Sequence, residues 1–153
     1  LLALELAARH AEHLRGLVLL APALRFKIPF ARHTSRIAKL LPWVINPSIT
    51  KINSWRLLKR DLGYRIISTR AFEQYWQRTH HFDDILHQVG QPTRIIHSKK
   101  DRMADPAGSQ HIYDTIPSQR KELIWLEQSG HEILLDSETD IVLEEIFKFS
   151  LLQ

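Results

Sequence analysis

Two short stretches of the sequence carry residues that could perform acid–base chemistry together. The stretch HSKKDRMADP places Asp101 a few residues after an apolar run, and EQSGHEILLDSE places His131 directly after Gly130. A carboxylate that accepts the Nδ1–H of an imidazole selects its tautomer and stabilises the imidazolium, which is the orienting half of a nucleophile–base–acid triad. We therefore predict Asp101 as the orienting acid and His131 as the general base.

Each candidate also has an ordinary structural interpretation. Asp101 could be a turn carboxylate, and His131 could be a polar loop residue that caps the last helix. Asp105 is a rival acid, but it stands directly before Pro106, where a helix needs its N-cap, so we interpret it as structural. His97 lies within an apolar run and is interpreted as a packing residue.

The elements that must position these residues alternate between strands and helices. Uninterrupted apolar runs such as Leu17–Ala21 predict strands buried on both faces, as in a parallel sheet covered by helices. The predicted strands are 17–21, 92–98 and 121–128, and the predicted helices are 1–10, 106–116 and 138–152. One crossover helix separates the loops of Asp101 and His131, so both loops should meet at one edge of an α/β sheet.

The last helix is expected to begin at a capping box. Ser137 and Asp140 have the S-x-x-D spacing in which the two side chains and backbone N–H groups satisfy one another. Its apolar positions should face inward, and they are Ile141, Val142, Ile146 and Phe149.

Residues 26–90 interrupt this alternation and form a predicted helical cap. Three stretches suggest short helices broken by Pro42, Pro47 and Gly63, namely FARHTSRIAKLLPWVINPSI, SWRLLKR and AFEQYWQR. An insertion between two strands lies over the carboxyl edge of the sheet, where α/β proteins bind ligands. Trp43 and its apolar neighbours could line a substrate pocket or pack within the cap.

The charge distribution separates this middle segment from the rest of the chain. Residues 25–80 contain twelve Lys and Arg but only two acidic residues, a net charge of +10, whereas the whole chain carries +4. The ordinary interpretation is a solvated, variable surface. The functional interpretation is contact with anionic lipid, an acidic substrate or nucleic acid.

Composition excludes several classes of protein. The 153 residues include no cysteine, which excludes a disulfide framework, a thiolate metal site and a cysteine nucleophile. His10 and His13 are three residues apart, as for neighbours on one helix face, but have no evident third ligand, so we predict no metal site. No apolar run reaches the roughly 18 residues of a membrane span, and no targeting signal is visible.

The order of these motifs resembles the C-terminal half of an α/β-hydrolase, closest to the carboxylesterase, monoacylglycerol lipase and serine aminopeptidase-like group. LLALELAARH resembles the helix that follows the nucleophile elbow G-x-S-x-G-G, and LRGLVLLAPAL resembles the next strand. PTRIIHSKKD and SGH resemble the acid and histidine loops, with Ser98 where the family usually has glycine. The resemblance divides the chain into a hydrolase core (1–25 and 91–153) and a cap (26–90).

The resemblance implies a serine hydrolase of carboxylic esters that works through an acyl-enzyme, with Asp101 and His131 as catalytic residues. G-x-S-x-G occurs nowhere in the chain, so the serine is expected upstream of Leu1 and the chain alone is expected to be inactive. We expect a small acyl ester or lipid as substrate, no cofactor, no metal, no nucleic-acid partner and a cytoplasmic location. The basic cap allows peripheral contact with a membrane or lipid interface.

Two alternatives remain open. A non-catalytic binding protein could share the α/β-hydrolase fold, and an amide or peptide hydrolase could use the same triad, because fold does not determine substrate.

Overall fold

Strands and helices alternate along the chain much as the apolar runs predict. The structure, a computed structural model, describes residues 1–26, 41–45, 66–79 and 81–152. The strands are β1 (Leu17–Leu20), β2 (Trp43–Ile45), β3 (Ile66–Ser68), β4 (Thr93–Ser98) and β5 (Lys121–Leu126). The helices are α1 (Leu2–Arg9), α2 (Thr69–Thr79), α3 (Asp83–Leu86), α4 (Pro106–Thr115) and α5 (Thr139–Leu151).

The three predicted core strands form a parallel sheet in the order β1-β4-β5. The fold class is therefore α/β, as predicted. All six residues of β4 are buried, which fits a strand with a neighbour on each side and helices on both faces. β1 ends one residue before the predicted Ala21, whose φ of 43° is left-handed and departs from extended backbone.

The helices cover both faces of this sheet. Ile95 belongs to a core cluster with residues of α1, α3 and α4, whereas Ile96 belongs to a second cluster with residues of α5. Successive side chains of a strand point to opposite faces, so the two clusters lie on opposite sides of β4. The sheet edge that follows β4 and β5 is thus supported from both sides.

The described part of the predicted cap contains a small antiparallel pair of strands. Trp43 of β2 is paired with Ser68 of β3. The expected helix is wrong at Trp43–Ile45, where an aromatic residue followed by two β-branched residues favours extended backbone. AFEQYWQR is helical as predicted, within α2, and SWRLLKR lies outside the described residues. The Trp43 side chain is 63% exposed.

Residues just before β4 pack into the main core although the predicted cap extends to residue 90. Phe82, Leu86 and Val89 are fully buried in the cluster that contains Leu4 of α1. The Gln91 side chain also donates to the carbonyl at the end of α1, with Nε2 lying 2.7 Å from the Ala7 oxygen. This segment therefore fixes α1 against the start of β4.

The two predicted N-caps have different outcomes. Asp105 caps α4 as predicted, because its side chain accepts from the Ala107 N–H at 3.1 Å and Pro106 occupies the first turn. The predicted capping box is wrong, since α5 begins at Thr139 after an N-cap residue, Glu138, whose side chain makes no capping bond. Ile141 is also wrong as a core residue and is 46% exposed, whereas Val142 and Phe149 are buried.

No helix of the described residues is long and apolar enough to cross a membrane.

Phe82 gives a direct test of the core assignment. Phe82→Ala should lower the free energy of unfolding by about 3–5 kcal/mol, because it removes a fully buried ring and leaves a cavity. Phe147→Ala is the matched control, since the Phe147 side chain is 63% exposed and its loss should change the free energy by less than about 1 kcal/mol. Urea denaturation followed by circular dichroism measures both variants, and equal losses would contradict the assignment.

Candidate active site

The Asp101 carboxylate is held by its own turn at the carboxyl end of β4. Its backbone N–H donates to the Ser98 carbonyl at 3.1 Å, which closes the turn. Its Oδ1 accepts from the N–H groups of Met103 at 2.8 Å and Ala104 at 3.0 Å. The side chain is fully buried, and the turn orients it through these two bonds to Oδ1.

The structure brings the two predicted site residues into contact. His131 Nδ1 lies 2.7 Å from Asp101 Oδ2. Because a carboxylate only accepts, Nδ1 carries the proton of this bond and Nε2 is the basic nitrogen of the neutral ring. The His131 side chain is 20% exposed while Asp101 is buried, so the ring reaches solvent from a buried carboxylate.

Asp101 remains ionised despite its burial. Burial by itself raises the pKa of Asp101, but the hydrogen bonds from His131 and His97, the positive charge of protonated His131 and the Met103 N–H outweigh it. Together they hold the pKa of Asp101 well below its usual value of about 4. Near neutral pH the group is thus a carboxylate that can stabilise an imidazolium.

The loop that carries His131 is shaped by two carboxylates from its own C-terminal end. Glu138 accepts from the backbone N–H groups of residues 127–129, at 2.7–3.0 Å, and from the Ser129 hydroxyl at 2.7 Å. Asp136 Oδ2 accepts from the Gly130 N–H at 2.7 Å. Burial raises the pKa of Glu138, but these hydrogen bonds outweigh burial and lower it overall.

Ser98 connects the acid loop to the histidine loop. Its hydroxyl donates to the carbonyl of Ser129, two residues before His131, and accepts from the Lys100 N–H at 3.1 Å. Ser98 is the position at which the sequence departs from the glycine usual in the family. The departure thus provides a bond between the two loops, which a glycine could not make.

His97 is a site residue that the sequence analysis missed. Its ring is fully buried, as expected for a packing residue, but Nε2 lies 3.0 Å from Asp101 Oδ2. Its Nδ1 lies 2.6 Å from the Ser109 hydroxyl on α4. The rival acid Asp105 instead caps α4, and no cluster of three or more His, Asp or Glu among the described residues could hold a metal ion.

Comparison with known proteins agrees with this arrangement of strands and loops. The model of the family described as "Serine aminopeptidase, S33" matches residues 1–138. The chain belongs to this family. Its membership in this family and its parallel sheet flanked by helices confirm that the chain resembles α/β-hydrolases.

Solved structures and a curated relative extend the comparison of this S33-family chain. A structure of the metagenome-derived lipolytic enzymes LipS and LipT has a TM-score of 0.85 at 25% identity and is covered over 58% of its length. A soluble variant of Saccharomyces cerevisiae monoglyceride lipase with a substrate analog has a TM-score of 0.76 at 20% identity, with 59% covered. Each match covers 95% of this chain.

A carboxylesterase of Bacillus subtilis is 34% identical over 58 residues, which are 38% of this chain and 24% of that protein. The S33-family chain thus spans less than two thirds of these relatives.

The two lowered carboxyl pKa values predict acid sensitivity. Asp101 and Glu138 have folded pKa values below their unfolded values, so their contribution to stability is present above about pH 5 and is lost as pH falls. Glu138→Gln removes one of the two groups and should make the decline of unfolding free energy between about pH 5 and pH 3 shallower. Urea denaturation at several pH values measures the slope.

Glu132→Gln is the matched control, since Glu132 lies in the same loop with an exposed side chain. Its stability curve should run parallel to that of the unmodified chain. Equal slopes for the unmodified chain and Glu138→Gln would show that Glu138 does not contribute through its charge.

Proposed function

We propose that this chain is part of a serine hydrolase of carboxylic esters, in which Asp101 and His131 are two members of a Ser–His–Asp triad. The observation that carries the proposal is the 2.7 Å contact between His131 Nδ1 and a buried, ionised carboxylate at the carboxyl edge of a parallel sheet. The third member, the serine, is proposed to lie N-terminal to Leu1 in the complete protein.

The geometry supports a two-step acyl transfer. In the first step His131 Nε2 takes the proton of the serine hydroxyl as the oxygen attacks the ester carbonyl, and then gives that proton to the leaving alcohol. In the second step Nε2 takes a proton from water, which attacks the acyl-enzyme, and returns it to the serine as the carboxylic acid leaves. Asp101 Oδ2 holds the Nδ1–H throughout and stabilises the imidazolium that forms in each step.

The proposed substrates are small acyl esters or lipids such as a monoacylglycerol. The neighbouring lipolytic enzymes and the yeast monoglyceride lipase support this class. The net charge of +10 in residues 25–80 supports an additional contact with an anionic lipid surface. Amide hydrolysis is the second candidate, favoured by the description of the matching family as a serine aminopeptidase.

Loss of the proposed base should abolish most of the activity. In the complete protein, His131→Ala should lower kcat on a p-nitrophenyl ester by a factor of about 10³ or more, because it removes the proposed base for the serine proton. His111→Ala is the matched control: His111 Nε2 also contacts a carboxylate, Asp83 at 2.6 Å, but lies on α4 rather than in the loop after β5. Its kcat should stay within about twofold of the unmodified protein.

The acid assignment has its own pair of variants. Asp101→Asn should lower kcat by a factor of up to about 10⁴, because the amide favours the wrong imidazole tautomer. Asp105→Asn should be mild, since asparagine caps a helix about as well as aspartate. A damaging Asp105→Asn with a silent Asp101→Asn would reverse the assignment.

Serine-directed labelling separates the hydrolase from a binding protein of the same fold. A fluorophosphonate should label the complete protein and should label His131→Ala much more slowly. A complete protein that resists the label and hydrolyses neither esters nor amides would be the non-catalytic alternative. Cleavage of aminoacyl amides in preference to esters would establish the second candidate.

A further inference from the structure

We propose that His97 is a positioning residue for the Asp101–His131 pair, held in turn by Ser109. The proposal rests on the proposed function, because it assigns His97 a role in the orientation of the catalytic acid. The three side chains form a hydrogen-bonded chain from α4 to the site. Ser109 Oγ lies 2.6 Å from His97 Nδ1, and His97 Nε2 lies 3.0 Å from Asp101 Oδ2.

The carboxylate determines the donors in this chain. An ionised Asp101 only accepts, so His97 donates through Nε2–H. In the neutral ring, Nδ1 is then an acceptor, and the Ser109 hydroxyl donates to it. Asp101 thereby selects the tautomers of both His97 and His131, and the Ser109 hydroxyl donates to the ring nitrogen of His97 that is left as an acceptor.

This chain of residues has the composition of a triad but cannot act as one. Ser109, His97 and Asp101 are all fully buried, so no substrate carbonyl can approach the Ser109 hydroxyl. Ser109 also lies inside α4 rather than on a sharp strand-to-helix turn that would expose it. Its role is therefore to hold His97, and the role of His97 is to hold Asp101.

Because His97 and His131 share one carboxylate oxygen, the hydrogen bond from His97 affects the hydrogen bond and the protonation of His131. Asp101 Oδ2 accepts from His97 at 3.0 Å and from His131 at 2.7 Å. Removal of one donor makes a carboxylate oxygen a stronger acceptor for the other, which favours the charged form of the ring that remains. Removal of the His97 donor also releases Oδ2, so that Asp101 is less firmly oriented toward His131.

The groups around His97 are those that could change how it affects the protonation of His131. Among the described residues, Asp101, from the turn that follows β4, is the titratable group hydrogen-bonded to its ring, and His131 follows through the shared oxygen. α4 contributes the Ser109 hydroxyl, and β5 contributes the Trp125 ring with its centroid 6.2 Å away.

Kinetics of the complete protein test the role of His97. His97→Leu keeps most of the side-chain volume but has no donor, and it should lower kcat by about 10- to 100-fold with KM within about twofold. The acid limb of the kcat/KM profile should move to higher pH by about half a unit. His97→Gln places an amide N–H near the position of Nε2 and should recover kcat to within about fivefold of the unmodified protein.

The remaining outcomes decide against the proposal or against its basis. An unchanged kcat and pH profile in His97→Leu would make His97 only a packing residue. The same conclusion would follow if His97→Leu and His97→Gln lost kcat equally and the acid limb of neither profile moved. If His97→Leu does not fold, Ser109→Ala tests the proposal instead, because it removes only the hydroxyl that holds His97. The acid limb of its kcat/KM profile should also move, and an unmoved limb overturns the proposal. Unmodified protein without turnover, or full activity in His131→Ala measured in parallel, overturns the proposed function instead.

Discussion

The buried charge of Asp101 is the constraint on which the rest of the site depends. A carboxylate without partners in a protein interior is costly by several kcal/mol or more, so its burial requires donors aimed at both oxygens. The donors include the N–H groups of Met103 and Ala104 in its own turn, His97 in β4 and His131 in the loop after β5. These parts of the chain cannot move independently without leaving the charge unsatisfied, which is why the imidazole is oriented without a bound substrate.

The same demand for hydrogen bonds shapes the loop that carries His131. Residues 127–130 have left the β5 ladder, and the N–H groups of Ser129 and Gly130, which are buried, need new acceptors. Glu138 and Asp136 supply them from the other end of the loop, and the Glu138 side chain makes no capping bond to α5. The predicted capping box fails because the N-cap is Glu138 and not Ser137, which puts Asp140 at the second helical position instead of the third, where a capping box needs its acid.

The parts of the structure that could be predicted are those in which one local pattern decides the outcome. The strand β1 and the Asp105–Pro106 cap of α4 follow from local propensity. The order of the strands, with one crossover helix between β4 and β5, brings Asp101 and His131 to one edge of the sheet. The helix predicted at Trp43–Ile45 is wrong because a short apolar run fits a helix or a strand equally, and pairing with β3 decides for the strand. His97 was missed because a lone histidine in an apolar run is compatible with packing until its partners are known.

The last residues of β4 show how a strand with two buried faces can serve two loops. Ile95 faces the cluster that contains Ile112 of α4, and Ile96 faces the cluster of α5. By the two-residue alternation of a strand, His97 follows Ile95 toward α4, where Ser109 lies one turn before Ile112 on the same helix face. Ser98 follows Ile96 to the opposite side, where its hydroxyl reaches the Ser129 carbonyl of the histidine loop. The consecutive residues His97 and Ser98 thus attach the turn of Asp101 to α4 on one face of the sheet and to the loop of His131 on the other. The position of Asp101 is therefore determined from both sides of the sheet.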